Sequence, residues 1–71
     1  MDKLVEALIK KQEELKLTES AFSRRVGMSR PMWYMIKNGR RKPGLDILKK
    51  IIAEFPEMQL LVYQSMSETT G

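Results

Sequence analysis

The sequence predicts an all-α domain, a small bundle of four or five helices with a helix-turn-helix inside it. Three observations carry that expectation. Apolar residues recur at helical spacing from Leu4 to Leu15 and again from Leu45 to Phe55. Between them, two short segments open on hydroxyl N-caps, Thr18 and Ser29, and close on Gly27 and Gly39. The turn across Gly27 is short enough to force the two segments to cross steeply.

The first helix is expected over 3–16, with Leu4, Val5, Leu8, Ile9, Gln12 and Leu15 along one stripe. Lys10, Lys11, Glu13 and Glu14 form its wet face, to which no chemistry is assigned. The second helix, about 19–26, follows the Thr18 cap, with Leu17 and Phe22 placed as a hydrophobic staple. Ala21 stands where a capping-box glutamate would be, so half of that signature is present. Glu19 suits the positive end of the helix dipole, and Arg24 and Arg25 suit its negative end. Ser23 is small enough to let a crossing helix approach, and Gly27 permits the left-handed conformation that ends the helix.

The third helix, about 29–38, takes Pro31 in its first turn, where the missing N–H has no intrahelical acceptor to lose. Trp33 and Ile36 face inward, and with Phe22, Val26 and Met28 they are expected to fill the crossing between the two helices. Trp33, the largest apolar side chain, is placed in the core and not against a base. The loop Asn38–Pro43 reads NGRRKP, a helix stop followed by the cationic patch Arg40, Arg41 and Lys42. A fourth helix starts near Gly44 with Leu45, Leu48, Ile51, Ile52 and Phe55 as its apolar face. After Pro56, a short fifth helix would put Met58, Leu61, Val62 and Met66 on one side, although QLLVY also fits a strand. Residues 1–66 are expected to form one domain, with 67–71 as a frayed polar tail.

Composition narrows the chemistry. Seventy-one residues allow one small domain with a thin core. Without cysteine or histidine there is no disulfide, thiolate or imidazole chemistry, which removes most metal sites and most catalytic triads. The carboxylates lie scattered on wet helix faces, with no nucleophile–base pair and no phosphate-cradling glycine loop, so an enzyme is not expected. No cofactor or metal is expected. No stretch approaches eighteen consecutive apolar residues and no secretory leader is evident; a cytoplasmic protein without membrane contact is expected. The formal net charge of +4 is unevenly spread. From Ser20 to Leu45 there are seven basic residues and no acid, leaving six basic and nine acidic residues elsewhere, a net of −3. Such a split points to a polyanion facing one region.

The stretch TESAFSRRVGMSRPMWYMIKNGRRKP, residues 18–43, resembles the Cro-like phage repressor family of helix-turn-helix domains. That family reads Thr, three residues, Leu-Ala, three residues, Gly-Val-Ser, then a recognition helix, a glycine and a basic loop ending in proline. The resemblance covers about residues 4–55 and implies a lambda repressor-like fold, a double-stranded DNA partner and a transcriptional regulator, usually a repressor. It implies that Arg30, Pro31 and Met35 read bases, with Ser29 at the groove edge. An arginine suits guanine O6 and N7 because its fork bonds both at once, while Pro31 and Met35 suit thymine methyls. The resemblance also places Thr18 and Ser20 near the DNA backbone and gives Asn38 and Gly39 to phosphate, joined by Lys37, Arg40, Arg41 and Lys42. Two departures stand out. Where the family often pairs an arginine with a glutamate, this chain has Gln12 and Lys37; and Pro31 offers no side-chain donor.

The leading expectation is a sequence-specific repressor acting as a homodimer on a pseudo-palindromic site. The rival is a protein-binding module, antitoxin-like, that meets a protein partner through residues 56–66.

Overall fold

The computed structural model describes residues 3–68. Five helices follow one another: α1 (Lys3–Glu14), α2 (Glu19–Arg25), α3 (Arg30–Lys37), α4 (Leu45–Glu54) and α5 (Gln59–Glu68), the last entered through a 3-10 turn at Pro56–Met58. No strand occurs among the described residues, which decides the QLLVY segment in favour of helix. Ser67 and Glu68 continue α5, and the remainder of the expected polar tail, 69–71, lies outside the described residues.

One apolar core joins all five helices. Leu4, Val5 and Leu8 enter it from α1, Phe22 and Val26 from the end of the second element, and Trp33 and Ile36 from α3. Leu48, Ile51, Phe55, Met58 and Val62 close it from the other side. Phe22 is the hub, its ring centroid 5.0 Å from Trp33 and 6.1 Å from Phe55. Arg25 and Lys11 each approach the Phe55 ring, at 5.3 and 5.7 Å, while pairing with Glu54 and Glu57. These contacts tie the first two helices to the α4–α5 corner, with the aliphatic stems covering apolar surface.

Three helices stop in the same way. After α2, Met28 N–H donates to the Ser23 carbonyl and Gly27 N–H to that of Arg24. After α3, Arg40 donates to Met35 and Gly39 to Ile36. After α1, Leu17 donates to Gln12 and Lys16 to Glu13. Each is a Schellman motif, and each needs a left-handed residue at its centre. Gly27 and Gly39 supply it at φ 74° and 73°, whereas Lys16 adopts φ 55° against its own preference.

Three apolar residues depart from the faces that spacing assigned to them. Leu15 lies past the end of α1, beside the left-handed Lys16, and is 40% exposed. Leu45 opens α4 beyond the edge of the core and is 55% exposed. On α5 the buried line runs Met58, Val62, Ser65, so Met66, one residue (about 100°) further round, is turned out.

Candidate nucleic-acid interface

Capping fixes how α2 and α3 meet. The Ala21 N–H donates to Thr18 Oγ1 at 3.1 Å, and the Met32 N–H donates to Ser29 Oγ at 3.2 Å. Ser23 is buried at the crossing, its hydroxyl donating back to the Glu19 and Ser20 carbonyls at 2.7 and 3.1 Å. Its small side chain fits the crossing, and its hydroxyl is satisfied within its own helix. The turn itself is seated on α4, since a Cβ on Gly27 would stand 3.3 Å from Lys50 Cγ.

The crossing opens a groove of about 800 Å³ on the protein surface. Thr18, Glu19 and Ser20 line one wall; Arg30, Pro31, Tyr34, Met35 and Lys37 line the other. Three of the four residues expected to read bases, Arg30, Pro31 and Met35, are thus brought together with Thr18, Ser20 and Lys37 from the expected phosphate set. Ser29 is outside the groove lining, exposed, with its hydroxyl engaged as the α3 cap. Asn38, Gly39, Arg40 and Lys42 form an exposed loop directly after α3. Arg41 lines a separate depression of about 350 Å³ with Gly27, Met32 and the start of α4.

Within this set the side chains are not equally free. Arg24, Arg30, Arg40, Arg41 and Lys42 are exposed and form no ion pair among the described residues. Arg25, by contrast, is committed to Glu54 at 3.1 Å. Lys37, expected on a phosphate, instead sits 2.6 Å from Glu19 Oε1. Gly39, expected to offer its N–H to phosphate, gives that N–H to the Ile36 carbonyl as part of the α3 stop. The Asn38 side-chain amide likewise donates to the Tyr34 carbonyl at 2.9 Å.

Two groove residues are absent from the set expected from sequence, Tyr34 and Glu19. Tyr34 is 63% exposed, one turn after Arg30 on α3, and that i, i+4 spacing was the available signal. Glu19 belongs to a network that starts in the core. The buried Trp33 indole N–H donates to Gln12 Oε1 at 2.9 Å, and Gln12 Nε2 donates to the Leu17 carbonyl at 3.2 Å and to Glu19 Oε1 at 3.3 Å. Gln12, the one polar residue on the α1 stripe, is there because a buried indole N–H needs an acceptor. The hydrogen bond from Lys37 holds the Glu19 carboxyl below the ordinary glutamate value, against some desolvation, with help from Gln12 and from the nearby charge of Arg30.

Two packed helices joined by a short glycine turn, a groove between them and a cationic loop after the second define a DNA-binding helix-turn-helix domain. A family model described as helix-turn-helix matches residues 6–57, and the chain belongs to that family, as a Cro-like member of it. No curated protein and no solved structure matches the chain. The protein is a DNA-binding transcriptional regulator. Among the described residues no helix is long and apolar enough to cross a membrane, and no cluster of acidic side chains is arranged to hold a metal.

Proposed function

We propose that the chain is a sequence-specific repressor that binds double-stranded DNA as a dimer and acts by occluding a promoter. The observation that carries this reading is the convergence of Arg30, Pro31 and Met35 in one groove, followed in the chain by the cationic loop. In this reading α3 lies in the major groove. Arg30 reads a guanine, and Pro31 and Met35 meet thymine methyls, with Ser29 at the edge. Thr18, Ser20, Asn38, Arg40, Arg41 and Lys42 take phosphates and fix the register without reading sequence. Lys37 is left out of the phosphate set because Glu19 neutralises it, and the Gly39 N–H because its one hydrogen is used in the α3 stop, whereas the Asn38 amide keeps a second hydrogen. In this reading the protein works where its duplex DNA is, the cytoplasm in a cell without a nucleus.

Eight residues of α3 extend about 12 Å, which covers three or four base pairs and therefore half a site. A second copy is the direct way to lengthen that readout, with the two α3 helices about 34 Å apart. Supporting a second copy, Leu60, Tyr63 and Met66 face outward from α5, 73%, 51% and 37% exposed. The same three side chains are the exposed large apolar groups that residues 56–66 offer to any protein partner, because Met58 and Val62 of that segment are in the core. Truncation at Pro56 would open the core, so surface substitution is the proper test. Leu60→Glu is expected to leave the melting temperature nearly unchanged while abolishing self-association in sedimentation and weakening binding to a full site but not a half site. Unchanged self-association would move α5 to a different partner.

Selection of bound duplexes from a random library tests the main reading. Enrichment of an inverted repeat with a guanine in each half is expected, with binding that falls steeply as salt rises. Salt-sensitive binding without enrichment would show that the basic face works without sequence preference.

A further inference from the structure

We propose that Glu19 is a specificity-determining residue of the DNA face, which withholds Lys37 from backbone phosphates and disfavours phosphate at the Lys37 end of the α2–α3 groove. The inference rests on the DNA-binding reading above and adds to it a device against wrong registers.

The geometry is that of a restrained pair and not a chance surface contact. Lys37 Nζ is 2.6 Å from Glu19 Oε1 and 5.6 Å from the centroid of the buried Trp33 ring. Glu19 Oε1 is held from a second direction by Gln12, itself fixed by the Trp33 indole. The ammonium is therefore placed from two sides and the carboxylate from two, with both anchored to the core. Glu19 Oε2 has no protein partner among the described residues, and the side chain lines the same groove as Arg30. Among the described residues no other acid lines that groove.

A free lysine at this place would attract any phosphate in any register, because a point charge does not distinguish the arrangement around it. The pair presents no free cation. In the correct register base edges fill the groove, and the amino groups of cytosine and adenine suit a carboxylate oxygen. In a wrong register a phosphate that approaches Lys37 meets the carboxylate and finds no unpaired ammonium there. Discrimination then comes from a repulsive element as well as from the contacts of Arg30. This raises the ratio of specific to non-specific affinity, the quantity that matters against a genome of competing sites.

The test uses random-sequence duplex and the dependence of log affinity on log salt, which steepens by about 0.9 for each added phosphate contact. Glu19→Gln is expected to bind this duplex several-fold tighter with a slope steeper by about 0.9, and the double variant Glu19→Gln/Lys37→Met to return to the wild-type slope. On the selected operator the same Glu19→Gln change narrows the ratio of specific to non-specific affinity. Lys37→Met alone is expected to keep the wild-type slope, and provides the test if Glu19→Gln does not fold, which thermal melting reports. An unchanged slope in Glu19→Gln, a steepening that survives in the double variant, or a shallower slope in Lys37→Met overturns the proposal. Wild-type protein that fails to bind duplex DNA at all overturns the DNA reading beneath it.

Discussion

Trp33→Ala is expected to leave the chain largely unfolded at 25 °C. Trp33 has no exposed surface, sits 5.0 Å from Phe22 at the crossing of α2 and α3, and is one of the two largest side chains in the core. Truncating a buried tryptophan costs about 3–5 kcal/mol. A single core in a domain of this length rarely supplies more than about 3–5 kcal/mol, so little remains. The loss is aggravated by the hydrogen bond from the indole to Gln12, since its removal leaves Gln12 Oε1 facing a cavity. Far-UV circular dichroism and a urea titration check this; a two-state curve with its midpoint within a few tenths molar of wild type would show that the core does not turn on Trp33. Trp33→Phe keeps most of the ring but loses the N–H, and comparison of the two variants separates packing from hydrogen bonding.

Arg30→Ala is expected to act on recognition and leave folding alone. Arg30 is exposed at the start of α3, and no ion pair ties it to the protein among the described residues. A bidentate arginine–guanine contact contributes about 1–3 kcal/mol of discrimination, equivalent to roughly 5- to 150-fold. The variant should lose affinity for the selected site by that factor, and reselection should show relaxed preference at one position in each half site. Its melting curve should overlay that of wild type. Equal weakening on every sequence, with the salt slope shallower by about 0.9, would identify Arg30 as a phosphate clamp instead.

Much of the fold was legible because it is written in local signals. Thr18 and Ser29 cap the helices they precede, and Gly27 and Gly39 turn at positive φ after the helices they follow. These features act over three to six residues and need no knowledge of the rest of the molecule. Trp33, Phe22 and Ile36 were legible as core for a similar reason, since two crossed helices leave few other places for side chains of that size. The fifth helix was ambiguous because Leu60, Leu61, Val62 and Tyr63 are apolar on every side, so no period separates helix from strand; packing on α1 and the Pro56 turn decide it. Leu45 and Met66 went astray through phase. Periodicity marks a stripe but does not say where the core ends along it.

The candidate site was legible as a set and less so in its connections. Sequence reasoning placed Arg30, Pro31 and Met35 on one face, and one groove gathers them. It passed over the link from Gln12 through Glu19 to Lys37, because the partners are seven and eighteen residues apart on three different helices. Gln12 and Lys37 stand where the family's arginine–glutamate pair is replaced at both ends, which by sequence alone leaves no charge stranded. The charge was relocated, with Glu19 taking the acidic role from another helix. Only the crossing angle of α2 and α3 makes that substitution visible.

The way α2 and α3 are closed at both ends has a consequence for the DNA. With each helix capped by a hydroxyl at its start and stopped by a Schellman turn at its end, the reader is stiff near its bases. A stiff reader loses little conformational entropy on docking, but it cannot bend to follow an imperfect duplex. The adjustment is then made by the double helix, through the width of its minor groove and the ease with which its steps kink. For a pair of such domains, base pairs at the centre of the site, touched by neither, would be chosen for their mechanical compliance.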